Sequence, residues 1–263
     1  MKKRVLVTGL NSYVGNSFVE FCKDNFIIDK VSLRDDRWQD LDFSRYDSIL
    51  HVAGIAHTSK DPSLKDLYYK VNTDLTFDIA QKAKKEGVKQ FVFMSSIIVY
   101  GDSAPIGQQK VITKNTKPNP DDFYGDSKLQ AEIKLETLQS EEFKICIIRP
   151  PMIYGDGSKG NYSKLVKLAK YALIFPNIMN QRSVLHIDKL IHELKDILEK
   201  QKYGVFILQD NKYFCTSEFI NEYRAKQLGK RTYLTKFFNP IIRIMAKKIS
   251  FINKIFGNLV YEK

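Results

Sequence analysis

The chain has 263 residues, of which 43% are hydrophobic and 27% are charged, and its formal net charge is +12 at pH 7. This length is sufficient for one large α/β domain, or for one with a small appended lobe. The sequence has no apolar run of about 18 residues, so no segment is expected to span a membrane. We expect no signal peptide either, because the first apolar run is short and ends at Gly9. The three cysteines are widely spaced and form neither a metal-binding pattern nor a disulfide framework, so we expect no metal site and a cytoplasmic location.

Along the first 150 residues, short apolar runs alternate with segments of helical periodicity. Strands are predicted at residues 4–8, 30–33, 48–53, 90–95 and 144–148. Helices are predicted at residues 16–25 and 64–86, and from about residue 124 onward. The interval between Leu33 and Ser48 leaves little room for a full crossover helix. Because strands that alternate with helices form parallel sheets covered on both faces, the pattern predicts a Rossmann-type, doubly wound α/β domain.

After Pro151 the pattern loosens into shorter elements. Helices are predicted at residues 162–171, 188–200 and 217–228, and strands at residues 183–187 and 203–208. We therefore expect a dinucleotide-binding domain over residues 1–150 and a small C-terminal α/β substrate lobe over residues 151–263, with some interleaving of segments. Either this lobe is shortened at its C-terminal end or its tail is missing.

The turn after the first predicted strand contains the features of a dinucleotide-binding loop. Gly9 permits a tight turn, Gly15 permits close packing of a helix on the strand, and the exposed helix N-terminus suits a pyrophosphate. Ser12 stands where a third glycine is usual, and an ordinary strand-to-helix turn stays an alternative. The cofactor-binding residues predicted in this turn are Gly9, Asn11, Ser12, Tyr13, Val14 and Gly15.

Tyr124 and Lys128 form a Tyr-x-x-x-Lys pair at the start of a predicted helix. A free phenol has a pKa of about 10, which makes tyrosine a poor acid or base at neutral pH. A lysine four residues later lies on the same helix face, and its charge favours the phenolate. The pair alone also arises by chance on solvated helices, so its meaning depends on the rest of the sequence.

Several motifs occur in one order along the chain. They are Val5–Gly9 with Gly15, His51–Gly54, Ser95–Ser96, Tyr124 with Lys128, and Arg149–Gly155. Over about residues 4–210 this series resembles the extended short-chain dehydrogenase/reductases, the NAD-dependent epimerase/dehydratases of nucleotide sugars. The resemblance implies that Ser96 orients the substrate oxygen, that Tyr124 donates or accepts the proton, and that Lys128 holds the nicotinamide ribose and lowers the pKa of the tyrosine.

The resemblance also implies roles outside the three catalytic residues. Ala53, Gly54 and Asn72 are counted among the cofactor-binding residues. Asn72 also resembles the asparagine that supports the active-site helix, although a purely structural asparagine is nearly as compatible with the sequence. In the second lobe, Asn161 and Arg182 resemble residues that contact the diphosphate of a UDP-sugar, which an arginine fork suits well. The histidines are interpreted as structural or surface residues: His51, His57 and His186.

The residues at the end of the second predicted strand indicate which cofactor is used, and through it the direction of the reaction. Arg34 stands where members that use NAD usually have an acidic residue, and an arginine can pair with a 2′-phosphate. NADP(H) is therefore favoured and NAD(H) stays possible, because Asp35 and Asp36 follow. A reductase of a UDP-4-keto-6-deoxy-N-acetylhexosamine for bacterial surface polysaccharides is favoured, a UDP-hexose 4-epimerase is the alternative, and an inactive NADP(H)-binding regulator is a minor one.

The positive charge concentrates near the C-terminus, where apolar residues also recur at three- and four-residue steps. The stripe consists of Ile242, Met245, Ile249, Ile252, Phe256 and Leu259, with basic residues beside it. Such a basic amphipathic pattern is typical of a helix that packs through its apolar side or lies on a membrane surface, and the packed helix is favoured. No nucleic-acid module is visible, so nucleic acid is not expected as a partner. A homodimer is possible on the family resemblance.

Overall fold

The computed structural model describes residues 2–56, 61–158 and 160–263, so His57 lies outside the described residues. The strands are β1 (Arg4–Thr8), β2 (Ile27–Val31), β3 (Ser48–His51), β4 (Gln90–Met94), β5 (Val111–Ile112), β6 (Lys144–Ile148), β7 (Met152–Tyr154), β8 (Ile174–Pro176), β9 (Val184–His186), β10 (Gly204–Phe206), β11 (Tyr233–Thr235) and β12 (Val260–Tyr261). The α-helices are α1 (Tyr13–Cys22), α2 (Lys65–Tyr68), α3 (Leu75–Lys85), α4 (Phe123–Glu136), α5 (Asn161–Tyr171), α6 (Ile187–Glu199), α7 (Thr216–Leu228), α8 (Asn239–Ala246) and α9 (Ser250–Phe256). Shorter 3-10 turns occur at Asp36–Asp40, Phe43–Arg45, Pro62–Leu64 and Ile97–Tyr100.

The chain is divided into two compact units. Unit 1 comprises residues 1–101, 118–151 and 186–208, and unit 2 comprises residues 102–117, 152–185 and 209–263. The sequence placed the division at residue 150 with interleaved segments, and these ranges identify the segments that cross that division. No helix among the described residues is long and apolar enough to cross a membrane.

Unit 1 is built on a six-stranded sheet with the order β10-β6-β4-β3-β1-β2, and all of its strand pairs are parallel. The predicted doubly wound α/β fold is therefore confirmed. The chain leaves β1 toward β2 on one side and then returns to β3 on the other side. In open parallel sheets, ligands bind beyond the carboxyl ends of the strands where the strand order reverses, which here is the edge formed by β1 and β3.

The strand predicted at residues 203–208 does not belong to the C-terminal lobe. Gly204–Phe206 pairs with β6 and forms the edge of the unit 1 sheet. The preceding α6 packs on α1, where the rings of Phe21 and His192 lie 4.6 Å apart. Apolar periodicity identifies a strand but not the strand it pairs with, which is why the sequence assigned this strand to the wrong lobe.

The helix predicted at residues 64–86 contains an irregular centre. Between α2 and α3 the backbone forms a π-helical turn over Tyr69–Asp74, and the buried residues of this turn are Asn72 and Thr73. A π turn inserts extra backbone into a helix and is frequent at functional sites. Between β2 and β3 only short 3-10 turns occur, in agreement with the trimmed crossover that the sequence predicts.

Unit 2 contains three two-stranded pairings, β8 with β11, β5 with β12, and β7 with β9. Helices α5 and α7 pack together with the C-terminal helices around an apolar cluster. The buried members of this cluster are Ala169, Ala172, Phe175, Ile178, Ile220 and Phe256. Gly229, with a φ of 61°, ends α7 in the left-handed conformation that glycine adopts readily.

Candidate active site

The first turn of α4 carries Tyr124. The Asp122 carboxylate caps the helix by accepting a hydrogen bond of 2.9 Å from Gly125 N. A Cβ on Gly125 would lie 2.8 Å from the carbonyl oxygen of Ile98, so only glycine permits α4 to approach this 3-10 turn so closely. Ser96 caps the same 3-10 turn, and the close approach brings its hydroxyl into hydrogen-bonding contact with the Tyr124 phenol. The structure therefore brings together two of the three predicted catalytic residues.

Tyr124 is held as a neutral phenol in this arrangement. Burial raises its pKa to about 12, and the hydrogen bond from Ser96 acts in the opposite direction because it favours the phenolate. The spacing to Lys128 predicts a lowered pKa for this tyrosine, and that lowering is not seen. A phenol with so high a pKa is protonated at neutral pH and is a weaker acid than a free phenol.

Lys128 lies one turn after Tyr124 and is 5% exposed. Its Nζ donates a hydrogen bond of 3.0 Å to the carbonyl oxygen of Met94 and lies 4.6 Å from the centre of the Phe93 ring. Burial lowers the pKa of Lys128 to about 8, and Glu132 opposes the shift. The amine is thus held at the carboxyl end of β4 rather than on the phenol, and its predicted contact with a nicotinamide ribose stays a prediction.

Asn72 connects the loop after β3 with α4. Its Oδ1 accepts a hydrogen bond of 2.8 Å from Ile55 N, while its Nδ2 donates to Ile55 O at 3.1 Å and to Ser127 Oγ at 3.0 Å. Thr73 adds a hydrogen bond from its hydroxyl to the carbonyl oxygen of Ser127. Because both ends of the Asn72 amide contact protein atoms, its geometry matches support of α4 more directly than the cofactor contact that the sequence also assigned to it.

The predicted dinucleotide-binding turn follows β1 directly. Gly9 has a φ of 87°, and a Cβ there would lie 3.3 Å from the Cα of Ala53. A Cβ on Gly15 would lie 3.0 Å from Val52 and 3.1 Å from Val7, which confirms the close helix–strand packing. The remaining predicted residues of this turn are Asn11, Ser12, Tyr13 and Val14, all of them exposed or partly buried.

Ser12 has a specific structural role in place of the third glycine. It is the N-cap of α1, and its hydroxyl accepts a hydrogen bond of 3.2 Å from Gly15 N. This bond satisfies one of the N–H groups that a helix N-terminus leaves without an intrahelical partner. The substitution therefore preserves the start of the helix.

Gly54 lies at the carboxyl end of β3, where a side chain could not be accommodated. A Cβ at this position would lie 3.0 Å from Asn72 Oδ1 and 3.1 Å from Lys128 Nζ. The adjacent Ala53 is held by a hydrogen bond of 3.3 Å from its N–H to Thr8 Oγ1. The space beside the Lys128 amine is thus kept free by the absence of a side chain on Gly54.

Arg34 is exposed in the loop that follows β2. The neighbouring Asp35 carboxylate is engaged by Arg37, whose Nη2 lies 2.7 Å from Asp35 Oδ2 and whose Nε lies 3.1 Å from Oδ1. This ion pair lowers the pKa of Asp35. Of the two acidic residues that left the cofactor assignment open, Asp35 is therefore already paired with a neighbouring arginine.

A buried polar network between α4 and the ends of β4 and β6 was not predicted from the sequence. Arg149 Nη2 donates to Glu132 Oε2 at 2.5 Å and its Nη1 donates to the Tyr100 hydroxyl at 2.7 Å, while Ser95 Oγ donates to Glu132 Oε1. Both Glu132 and Arg149 are buried. One feature of the sequence could have indicated this network. Glu132 is four residues after Lys128 and therefore lies on the same face of the helix.

His51 has a structural role in the core of unit 1. Its ring nitrogens form hydrogen bonds with the hydroxyls of Thr8 and Thr76, at 3.1 and 3.0 Å, and the ring stacks on Phe91. Burial lowers the pKa of His51 to about 3, so the imidazole is neutral near pH 7. His186 caps α6 by accepting a hydrogen bond from Asp188 N.

In unit 2, the two predicted substrate-binding residues have different environments. Asn161 is exposed at the first position of α5. The Arg182 guanidinium donates through Nη1 to the carbonyl oxygen of Lys254, next to Asp102, and burial lowers its pKa. No contact joins Asn161 to Arg182 among those found in the described residues, so their joint role toward a diphosphate stays a prediction.

Comparison with known proteins identifies the family. The family model described as the NAD dependent epimerase/dehydratase family matches residues 5–206. A UDP-glucose 4-epimerase of Vibrio cholerae is 30% identical over 89% of this chain and 78% of its own length. An N-acetyl-α-D-glucosaminyl-diphospho-ditrans,octacis-undecaprenol 4-epimerase of Escherichia coli O157:H7 is 27% identical over 78% of this chain and 66% of its own length. In fold, the chain is similar to the dTDP-4-dehydrorhamnose reductase of Bacillus anthracis solved with NADP, with a TM-score of 0.71, 20% identity, and coverage of 89% of this chain and 83% of that one. The chain therefore belongs to the NAD-dependent epimerase/dehydratase family.

Proposed function

We propose that the chain is an NAD(P)-dependent oxidoreductase that acts at C4 of a UDP-sugar. The observation that carries this proposal is the placement of Ser96, Tyr124 and Lys128 at the carboxyl ends of the central strands. Ser96 contacts the phenol, and Lys128 follows one helical turn later in a buried position. These three side chains can orient a sugar oxygen, exchange its proton and support a nearby ribose.

The residues around β1 and β3 fit a nicotinamide dinucleotide. The turn from Gly9 to Gly15 leads into the N-terminus of α1, where backbone N–H groups suit a pyrophosphate, and Gly54 keeps the space beside Lys128 free of a side chain. When bound, the nicotinamide would supply or accept the hydride, a step for which the protein has no group of its own.

The reductive direction requires Tyr124 to begin the cycle as the neutral phenol. Reduction of a C4 ketone adds a hydride to the carbon and a proton to the oxygen, and the Tyr124 phenol, which is protonated at neutral pH, carries that proton, although its raised pKa makes it a weaker acid than a free phenol. Ser96 donates a hydrogen bond that stabilises the phenolate left behind, which lowers the cost of the transfer. Our first candidate is therefore a 4-reductase of a UDP-4-keto-6-deoxy-N-acetylhexosamine, with NADP(H) favoured because Arg34 is exposed and Asp35 is paired with Arg37.

A 4-epimerase is the second candidate, and a different observation favours it. Both relatives compared above are named as 4-epimerases of sugars carried on a diphosphate. In this reaction Tyr124 accepts the proton of the C4 hydroxyl as the hydride leaves C4 for the nicotinamide that would be bound. It returns the proton to the C4 oxygen when the hydride returns to the other face of the ring. The phenol must then begin the cycle deprotonated, so an epimerase requires its pKa to fall once substrate and cofactor are bound.

Two incubations distinguish these candidates. The purified chain is incubated with UDP-4-keto-6-deoxy-N-acetylglucosamine and NADPH, and separately with UDP-N-acetylglucosamine and catalytic NAD. Oxidation of NADPH that depends on the keto sugar, with a 4-hydroxy product, supports the reductase. Equilibration of UDP-N-acetylglucosamine with its C4 epimer, without net redox change, supports the epimerase. If neither conversion exceeds that of the Tyr124→Phe variant, the proposal of C4 chemistry on UDP-sugars is wrong.

A further inference from the structure

The C-terminal part of unit 2 has an exposed surface that is both apolar and basic. We call the exposed residues of segment 236–251, on and beside α8, the basic apolar surface. Its large apolar side chains are unusually exposed for their size: Phe237 78%, Ile241 56%, Ile244 66%, Met245 43%, Ile249 43% and Phe251 51%. Monomeric proteins rarely leave contiguous apolar patches of this kind uncovered unless the patch contacts a partner or a membrane.

The inner sides of α8 and of the following helix α9 pack against the rest of unit 2. Ile242, Ile252 and Phe256 pack into the apolar cluster of unit 2, and the rings of Phe256 and Phe175 lie 5.7 Å apart. The packed helix that the sequence analysis favoured therefore accounts for the inner face. It does not account for the outer face, where Ile241, Ile244 and Met245 recur at the spacing of one helix side.

Charge identifies the kind of surface that this outer face can contact. The segment from Tyr223 to Tyr261 contains no aspartate or glutamate. Within the basic apolar surface, Arg243, Lys247 and Lys248 are exposed beside the apolar side chains. Cations that flank exposed isoleucine and phenylalanine are typical of helices that lie in the headgroup region of anionic membranes.

A second copy of the chain fits this surface less well than an anionic membrane does. A symmetric contact between two copies places the same patch of each subunit against the other. Arg243, Lys247 and Lys248 would then face their own like charges without a carboxylate of the same segment to pair with them. An anionic bilayer removes that repulsion and also accepts the apolar side chains.

A neighbouring pair of strands extends the exposed apolar area. In the β8–β11 pair, Ile174 and Tyr233 lie opposite each other and are 58% and 71% exposed. The first residue of α8 is tied to this pair, because Asn239 Nδ2 donates a hydrogen bond of 2.9 Å to the carbonyl oxygen of Asn177. The helix is thus anchored at its start while its outer side stays exposed.

We propose that the basic apolar surface docks unit 2 onto the surface of an anionic lipid bilayer. The helix lies in the plane of the interface, with isoleucine and phenylalanine side chains at the boundary between headgroups and acyl chains and the basic side chains on lipid phosphates. This inference does not depend on the proposed reaction. It brings the active enzyme to the membrane surface, where sugars carried on lipid diphosphates are located.

Vesicle flotation of the full chain tests the proposal. Vesicles of phosphatidylglycerol and phosphatidylcholine are compared with vesicles of phosphatidylcholine alone, at low salt and at 0.5 M salt. We expect binding to the anionic vesicles at low salt, with binding weakened by salt and by removal of the anionic lipid. Absence of binding to anionic vesicles at low salt overturns the proposal, as does equal binding to both vesicle types.

Two variants and their matched controls identify the surface. Replacing Arg243, Lys247 and Lys248 by glutamine should weaken binding about a hundredfold, since each surface cation contributes about 1 kcal/mol near an anionic bilayer. The control replaces three exposed lysines elsewhere, Lys85, Lys89 and Lys114, by glutamine. Ile241→Ser with Ile244→Ser should weaken binding at least tenfold, and its control is Ile27→Ser with Ile133→Ser.

Each variant should have the same thermal unfolding temperature as the wild type, because all of the substituted positions are exposed. If the control variants weaken binding as much as the surface variants do, the assignment of the surface is wrong. If the surface variants instead convert a dimer to a monomer in sedimentation, and vesicles are not bound, the surface is a contact between copies and the proposal is overturned. Because flotation does not depend on turnover, its outcome is independent of the proposed reaction.

Discussion

Arg149 and Glu132 form an ion pair beneath the catalytic helix, with Nη2 of the arginine 2.5 Å from Oε2 of the glutamate. Tyr100 and Ser95 complete the hydrogen bonds of this pair. Glu132 lies one turn after Lys128 on α4, so the pair connects the end of β6, the end of β4 and the helix that carries Tyr124. Removal of either partner would leave a buried charge without compensation.

We expect Glu132→Gln to destabilise unit 1 strongly. The change leaves the Arg149 guanidinium without its counter-charge, and breaking a buried pair from one side costs about 3–5 kcal/mol. The free energy of unfolding, measured by urea titration, checks this value. Glu136→Gln, at an exposed position one turn later on the same helix, is the control and should change the stability by less than about 0.5 kcal/mol. Equal stability of the two variants would show that the pair is unimportant.

Tyr124→Phe should abolish turnover while the cofactor still binds. Removal of a general acid or base lowers kcat by about 100- to 10,000-fold, and the phenyl ring preserves the packing of the first turn of α4. Steady-state kinetics and fluorescence titration with NADPH measure the two effects separately. Tyr203→Phe, at a 61% exposed tyrosine, is the matched control. A Tyr124→Phe variant with near-normal kcat would remove Tyr124 from the mechanism.

Arg34→Ala should weaken NADPH binding about tenfold and leave NADH binding nearly unchanged. The expectation rests on loss of one exposed charge pair with a 2′-phosphate, worth about 1.4 kcal/mol for a tenfold effect. Titration of both cofactors with the same preparation provides the comparison, with Arg45→Ala at another exposed arginine as the control. Equal effects on NADPH and NADH would contradict recognition of the phosphate by Arg34.

His51 should make the fold sensitive to mild acid. Its pKa in the folded chain is about 3, below the ordinary value of 6.5. Below pH 6.5 the unfolded chain therefore binds a proton that the folded chain does not, and stability falls as the pH decreases toward 3. The contribution of His51 between pH 6.5 and pH 5 is about 2 kcal/mol, from about 1.4 kcal/mol per pH unit.

Urea titrations at pH 7, 6 and 5 measure this slope, and His51→Gln provides the comparison. The variant is expected to be less stable at pH 7, because glutamine does not reproduce both hydrogen bonds to Thr8 and Thr76, but to lose less stability on acidification. A variant with the same dependence on pH as the wild type would show that His51 does not cause it.

Local patterns in the sequence were sufficient for most of unit 1. Apolar runs predicted β1 and β6 with their observed bounds, and the order of motifs predicted that Ser96 and Tyr124 belong to one site. These features depend on residues close in sequence or on the fixed topology of parallel sheets. The strand Gly204–Phe206 was assigned to the wrong lobe because strand pairing is a long-range property that periodicity does not encode.

The surroundings of the site could not be predicted for a similar reason. The pKa of Tyr124 depends on burial among groups that are distant in sequence, and the spacing to Lys128 gave the opposite direction. The Glu132–Arg149 pair joins residues on a helix and a strand whose relative rotation only the folded chain defines. The stripe predicted from Ile242 to Leu259 could not be assigned to one face, because Ile242 and Phe256 pack inside whereas Met245 and Ile249 are exposed.

The π-helical turn at Tyr69–Asp74 makes its helix less regular and aligns Asn72 with Ser127 of α4. A regular α-helix in its place would have better hydrogen bonds, but its later residues would be rotated by about 100° for each residue removed. Asn72 and Thr73 would then turn away from Ser127, and the loop after β3 would lose its connection to α4. A chain one residue shorter here would gain a better helix and lose the register between the loop after β3 and α4, so the most regular helix and the contact of Asn72 with Ser127 exclude each other.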